Sequence, residues 1–358
     1  MPKILKIFQG ENIKILPTEV SNLDYQRFSE YAESSENPAD IVFEDPELKE
    51  TTKAIKQLSN DHPTLLKYFL DGSRRTYKVA DVSYQGRYLP LIAGQIGAAV
   101  MHRDGENSAV KPFKEFCKFR NLIAFPSIID VGDIKYLQEQ LDKNLNLKFE
   151  IVQYKYDPKS DPVDKGIAKI NTEMQSMEIA IVEEMADKHI LTSSDFMVID
   201  GPLRFGKLKD ITQFKNVIGL SKTFRPSFTW GKGRKKQDVG SITYKLKFGE
   251  RTTIFKPDNT DDKIIGMWYL RLRGEKYIQS PLQGIIKAEI FAVETKEKET
   301  GFDSDRIDTI STHLLRERNV TPFKSDNRWA SHIYPIFLAE SYTKSKFLSD
   351  FYFKGLFN

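Results

Sequence analysis

Sulfhydryl chemistry is nearly absent from this chain: Cys117 is its only cysteine. That excludes an intrachain disulfide and any cysteine-rich metal site. Long apolar runs are missing too, so no segment reaches membrane-spanning length. The opening Met1-Pro2-Lys3-Ile4-Leu5-Lys6 lacks the apolar core of an export signal. Together with the lone cysteine, this leads us to expect a cytoplasmic protein and no membrane partner. His62, His102, His189, His313 and His332 are scattered, and no HxxxH or HExxH occurs, so a zinc peptidase has no support. Neither a GxSxG nucleophile elbow nor a GxxxxGK(S/T) phosphate loop is present. There is little net charge, +4, so any nucleic-acid contact must use local patches. Internal repeats and low-complexity tracts are absent.

What is there suits a globular fold. Of 358 residues, 40% are apolar and 29% charged, and 24 Phe and 15 Tyr supply ample core for one large domain or two ordinary ones. The most informative stretch is Phe196-Met-Val-Ile-Asp200-Gly201-Pro202-Leu203. Its short apolar run, stopped by a turn signal, reads as a buried strand with Asp200 at its C-terminal edge. Open α/β sheets place ligands at such edges. Leu65-Leu-Lys-Tyr-Phe-Leu70-Asp71-Gly72-Ser73-Arg74 has the same form. Either Asp-Gly alone reads first as a plain turn; the pair together points to a site. Two carboxylates at the ends of two buried strands suit a hard divalent cation, which takes oxygen ligands.

Taken in order, residues 1–60 pass from a basic, apolar start to an acidic stretch between Glu30 and Glu50. We expect an N-terminal arm with a short helix over Asp24–Ala32 and a partner-bound segment; a solvated linker fits as well. Further strands are expected over Leu65–Leu70, Tyr88–Met101, Asn121–Ile129, Lys148–Tyr156 and Asn216–Thr223. Others are expected over Ser241–Phe248, Thr252–Phe255, Ile265–Arg273 and within Leu282–Val293. A helix is expected over Asp133–Leu145. Ile167, Ile170, Met174, Met177, Ile181 and Met185 recur at helical spacing and mark a helix over Ile167–Lys188. The end of the chain, Trp329–Phe357, reads as helical. The pattern implies a mixed α/β sheet flanked by helices.

The long helix carries Glu178, Glu183 and Glu184. Most glutamates on an amphipathic helix form its wet face, but one turned inward would complete an acidic set with Asp71 and Asp200. Such a set is what metal-assisted phosphodiester cleavage needs. Lys222, after the Asn216 strand, could hold a phosphate as a point charge or simply cap the strand. Arg74, Arg75, Arg204, Arg225, Arg271 and Arg273, with Lys232, Arg234 and Lys235 of the loop Gly231–Lys236, are suitable phosphate contacts. Phe205, Phe224, Phe228, Trp230, Trp268 and Tyr269 could stack on unpaired bases. A basic turn beside an ordinary aromatic core is the plainer alternative.

Several of these motifs, in this order, resemble the NurA nuclease family. Asp71-Gly72-Ser73 resembles its first aspartate motif, and Asp200-Gly201-Pro202-Leu203 its second. Val217-Ile-Gly-Leu-Ser-Lys222 resembles its Val-Gly-Ile-Ser-Lys segment, and Ile286-Lys-Ala-Glu289 a late Arg-Val-Glu segment. Tyr334-Pro335-Ile-Phe-Leu338 resembles its Tyr-Pro motif, with Tyr342 standing where a histidine is expected. The resemblance spans about residues 65 to 345. It implies a ribonuclease-H-like nuclease domain over 61–358, with β-rich insertions, preceded by the N-terminal arm. It implies metal held by Asp71, Glu178 and Asp200 (Glu183 being the fallback), with manganese or magnesium as the ion. Lys222 and Arg74 would hold phosphate, and Tyr334 would orient the strand or the metal-bound water. The implied activity is DNA cleavage, in end processing or anti-phage defence, beside a HerA-type hexameric ATPase and as a homodimer. A non-catalytic DNA-clamp or adaptor subunit on an ATPase ring is the alternative, which Tyr342 favours; a nuclease acting on RNA is a third.

Overall fold

The computed structural model describes residues 3–9, 13–24, 42–46, 51–55, 64–103, 105, 109–203, 208, 210–224, 229–230, 237–257, 263–318 and 327–357. In chain order, α1 (Lys3–Ile7) and β1 (Lys14–Asn22) come first, then the short β2 (Glu44–Asp45) and β3 (Thr52–Ala54). Three long strands follow: β4 (Leu66–Tyr84), β5 (Arg87–Arg103) and β6 (Val110–Pro126). Next are α2 (Val131–Asn144), β7 (Glu150–Tyr154), α3 (Pro162–Asp187), β8 (Phe196–Asp200) and β9 (Val217–Ser221). A small ladder of β10 (Thr229–Trp230) and β11 (Gln237–Asp238) precedes α4 (Val239–Tyr244), β12 (Glu250–Thr252), β13 (Ile265–Arg271) and β14 (Ile285–Phe291). The chain closes through α5 (Thr295–Thr300), β15 (Phe302–Asp303), α6 (Ser304–Arg316), α7 (Tyr334–Lys346) and α8 (Asp350–Gly355).

One mixed sheet of eleven strands organises the molecule, in the order β3-β12-β13-β14-β9-β8-β4-β5-β6-β7, with β1 also on β4. The β4–β8, β8–β9 and β6–β7 pairs are parallel; the long β4–β5–β6 meander is antiparallel. Helix α3 covers one face. Asp161 caps it by accepting from the Val163 N–H, Pro162 opens it, and Ile167, Ile170, Met177, Ile181 and Met185 form its buried stripe. Helices α6 and α7 cover the other face through Ile307, Ile310, Leu314, Ile336 and Ala339. Strand β5 accepts both layers closely. A Cβ on Gly94 would stand 2.8 Å from Ile170 of α3, and one on Gly97 would stand 2.9 Å from Thr343 of α7. Of the described helices, none is long and apolar enough to cross a membrane.

The structure is therefore mixed α/β with a large mixed sheet flanked by helices, as the patterning predicts, but local expectations need correction. The strand expected to stop at Leu70 runs on to Tyr84, so Asp71-Gly72 is not a turn. Every residue there has a partner on β5, with Asp71 opposite Ala99 and Gly72 opposite Ala98. The strand expected over Ser241–Phe248 is instead led by helix α4, because the Asp238 side chain accepts from the Ser241 N–H and caps a helical turn. The helix expected over Asp24–Ala32 lies outside the described residues except for Asp24. Of the acidic stretch, residues 42–46 are described: Phe43 and Glu44 are buried, and β2 pairs with β15.

Candidate functional site

The parallel pairing of β4 with β8 sets the central geometry. Phe69 stands beside Val198 and Leu70 beside Ile199, which puts Asp71 and Asp200 on the next rung. Phe69 and Val198 belong to the core beneath α6 and α7. Two residues on, Asp71 and Asp200 share that face, because side chains alternate along a strand. Asp200 pairs with Leu220 of β9. Two residues later Lys222 returns its ammonium to within 2.7 Å of the Asp200 carboxylate.

Glu178 arrives from the opposite face, on α3. Gly72 makes room for it: a Cβ there would stand 2.5 Å from Glu178 Oε1. The Gly72 N–H donates to the Glu178 carboxylate. Thus Glu178, rather than Glu183 or Glu184, is the helix glutamate turned towards the aspartates. Glu184 is engaged with Lys188 and Lys118 at the surface.

Asp71 is 5% exposed and accepts no hydrogen bond among the described residues. Burial first, then Asp200, hold its carboxyl well above the ordinary range, with Glu340 and Glu178 adding to the push and Lys222 opposing it. Burial, followed by Asp200, pushes Glu178 up to about 8. For Lys222 burial works against the charge, yet Asp200 and Asp71 outweigh it and raise its pKa. Asp71 and Asp200 therefore share one lysine, which does not act on Glu178.

Glu340 is the acidic residue that the sequence reading missed. It lies on α7 between Ala339 and Thr343, which are buried against the sheet, and its charge reaches both Asp71 and Lys222. The available signal was its place in the inward stripe Ile336–Glu340–Thr343, one helical turn apart. Tyr342 points elsewhere: its ring is 6.5 Å from that of Phe119, with Lys346 above it.

Other predicted residues are not brought to this cluster. Tyr334 is 47% exposed at the start of α7, where its N–H donates to the Glu317 carbonyl. Arg74 bonds Thr76 Oγ1 and faces Asp24, 3.9 Å away. Arg75 donates to the Leu348 carbonyl and lies over Phe347. Arg271 is buried and donates to the carbonyls of Pro281, Gln283 and Tyr244, so it braces backbone. Trp268 and Tyr269 are fully buried core residues, closed to any base. Arg204, Lys232, Arg234 and Lys235 lie outside the described residues. Behind Asp200, buried Glu289 accepts from the Leu203 N–H and pairs with Lys287, fixing the turn that follows the aspartate.

The donor chemistry of Asp71, Glu178 and Asp200 is all carboxylate oxygen and fits a hard divalent cation. The fit rests on Asp71, a buried carboxylate that no donor meets among the described residues and that has Asp200 and Glu178 as charged neighbours. Among the described residues, no three acidic, histidine or cysteine side chains already stand in a ligating group. A shallow groove of about 340 Å³ near His189 and Lys215 contains none of these residues. No family model matches the chain, and no curated protein matches it.

Proposed function

We propose that this chain is a divalent-metal-dependent DNA nuclease of the ribonuclease-H-like, NurA type. The observation that carries the reading is the in-register pair Asp71 and Asp200, joined by Glu178 through the gap that Gly72 leaves. Asp71, Glu178 and Asp200 would hold the ion, Mn²⁺ or Mg²⁺. When bound, it supplies Lewis acidity at a phosphoryl oxygen and offsets the charge of the phosphodiester. Lys222, 2.7 Å from Asp200, is placed to exchange part of that ion pair for a phosphate oxygen. The Glu289–Lys287 pair positions the turn after Asp200. Work beside a HerA-type ATPase, as a dimer, in DNA-end processing or defence, belongs to the same reading.

A second reading keeps DNA binding without cleavage, as a clamp or adaptor. The Lys222–Asp200 ion pair favours it, since it neutralises one aspartate without metal. The test is cleavage of labelled single- and double-stranded DNA with Mn²⁺, Mg²⁺ or EDTA, alone and with the ATPase. Metal-dependent cutting that disappears in Asp200→Asn supports the nuclease. DNA binding without cutting in every condition supports the clamp.

A further inference from the structure

A second charged site lies at the same end of the sheet. β9 runs parallel to β8, β14 antiparallel to β9, and β13 antiparallel to β14. The start of β14 and the end of β13 therefore lie at the end where Asp200 and Lys222 sit. Arg273 follows β13 there, three strands from β8, or roughly 14 Å at the usual strand spacing.

Arg273 is 8% exposed, yet its Nε and Nη2 have no hydrogen-bond partner, and no carboxylate pairs with it among the described residues. Its guanidinium lies over the Trp329 ring at 5.0 Å. Arg318, just past α6, is its charged neighbour. Arg318 lies over Phe248 at 5.4 Å, donates one bond to the Leu315 carbonyl, and leaves its buried Nε unpartnered. Burial first, and the Arg318 charge second, lower the pKa of Arg273. By contrast, the buried Arg251 is matched by Glu44 and Asp308. Two neighbouring arginines with no carboxylate partner among the described residues, each against an aromatic ring, have N–H donors to offer an oxyanion.

We propose that Arg273 and Arg318 form a phosphate-binding site for the backbone of a DNA strand that runs on to Asp71 and Asp200. The choice of DNA rests on the nuclease reading; the phosphate chemistry does not. A planar fork fits a phosphodiester in two bonds, and a second arginine shares its charge. The aromatic rings packed against both guanidiniums restrict them before the strand arrives, which lowers the ordering cost of binding.

The test is anisotropy of a fluorescein-labelled single-stranded oligonucleotide with the full chain in EDTA, on the Asp200→Asn background, over a salt series. Arg273→Gln and Arg318→Gln should each weaken binding about tenfold and reduce the salt slope by about 1. Arg87→Gln, at the far hairpin, should match its parent. Arg273→Lys should keep the salt slope but not the affinity, since it keeps charge without the fork. If Arg273→Gln melts early, Arg318→Gln at its half-buried position carries the test. Parental affinity and slope in a folded Arg318→Gln or Arg273→Gln protein would overturn the proposal. So would thermal stabilisation by inorganic phosphate that is lost in Arg273→Gln while oligonucleotide affinity stays unchanged, because the site would then serve free phosphate. Weakened binding in these variants, in a protein that never cuts DNA, would uphold this site and sink the nuclease reading instead.

Discussion

Two buried charge clusters in this protein have opposite characters. Around Arg251, every strong group is matched. Its guanidinium is fully buried and bonds Glu44 at 2.5 Å, Asp308 at 2.6 Å and the Thr252 carbonyl at 3.0 Å. Glu44 in turn accepts from Ser304 Oγ, Thr253 Oγ1 and the Ile254 N–H. Around Asp71 the balance is reversed: among the described residues no hydrogen-bond donor meets Asp71, Glu178 has one backbone N–H, and a single lysine serves Asp200. Burial is comparable; compensation is not. The matched cluster ties β2 and α6 to β12 and is architecture. The unmatched one leaves carboxyls whose charged forms await a partner from outside, which is how perturbed acids mark functional sites.

The comparison can be broken at its strongest point first. Arg251→Ala should cost about 3–5 kcal/mol, because Glu44 is left buried without its partner. Denaturant unfolding checks this, and a loss below about 1 kcal/mol would remove the architectural half of the contrast.

Next comes pH. The Glu178 carboxyl rises from 4.5 to about 8 in the fold. The folded state then holds more protons than the unfolded chain between those values, so stability of the metal-free protein falls as pH rises from 4.5 towards 8. The drop is at most about 5 kcal/mol for the full shift. Thermal melts across that range should flatten in Glu178→Gln; an unchanged slope would mean that Glu178 does not carry it.

Asp71→Asn should sharpen the contrast in the other direction. Removing an uncompensated buried charge should stabilise the fold by about 1–2 kcal/mol while abolishing metal-dependent cleavage. A destabilised Asp71→Asn protein would place Asp71 with the architectural charges. The smallest effect is expected for Lys344→Ala, which breaks the 2.6 Å surface pair with Glu340. Stability should change by less than about 0.5 kcal/mol, as for exposed helix pairs; a larger loss in chemical denaturation would argue that Glu340 depends on it.

Much of the frame was readable from the chain alone. Period-3.6 spacing marked α3, short apolar runs marked β8 and β9, and the two Asp-Gly motifs singled out Asp71 and Asp200. These signals survive because they are local: a buried strand or helix face must repeat its apolar residues whatever surrounds it. The Asp-Gly of β4 was misjudged as a stop, since turn residues say nothing about a neighbour such as β5 that pairs with every one of them. Trp268 and Tyr269 looked available for stacking, yet the sheet order buries them.

The amino-acid order by itself determined the alternation of elements, the apolar faces that build the core, and the identity of two strand-borne aspartates. Only the tertiary structure decided which charges meet. Register set Asp71 beside Asp200, the missing side chain of Gly72 admitted Glu178, and α7 brought in Glu340. The same folding gave Arg251 its carboxylates and, among the described residues, set none beside Arg273 and Arg318. The reason is physical: apolar burial is set by each residue's own transfer from water, whereas the energy of a buried charge depends on partners that sequence separation does not reveal.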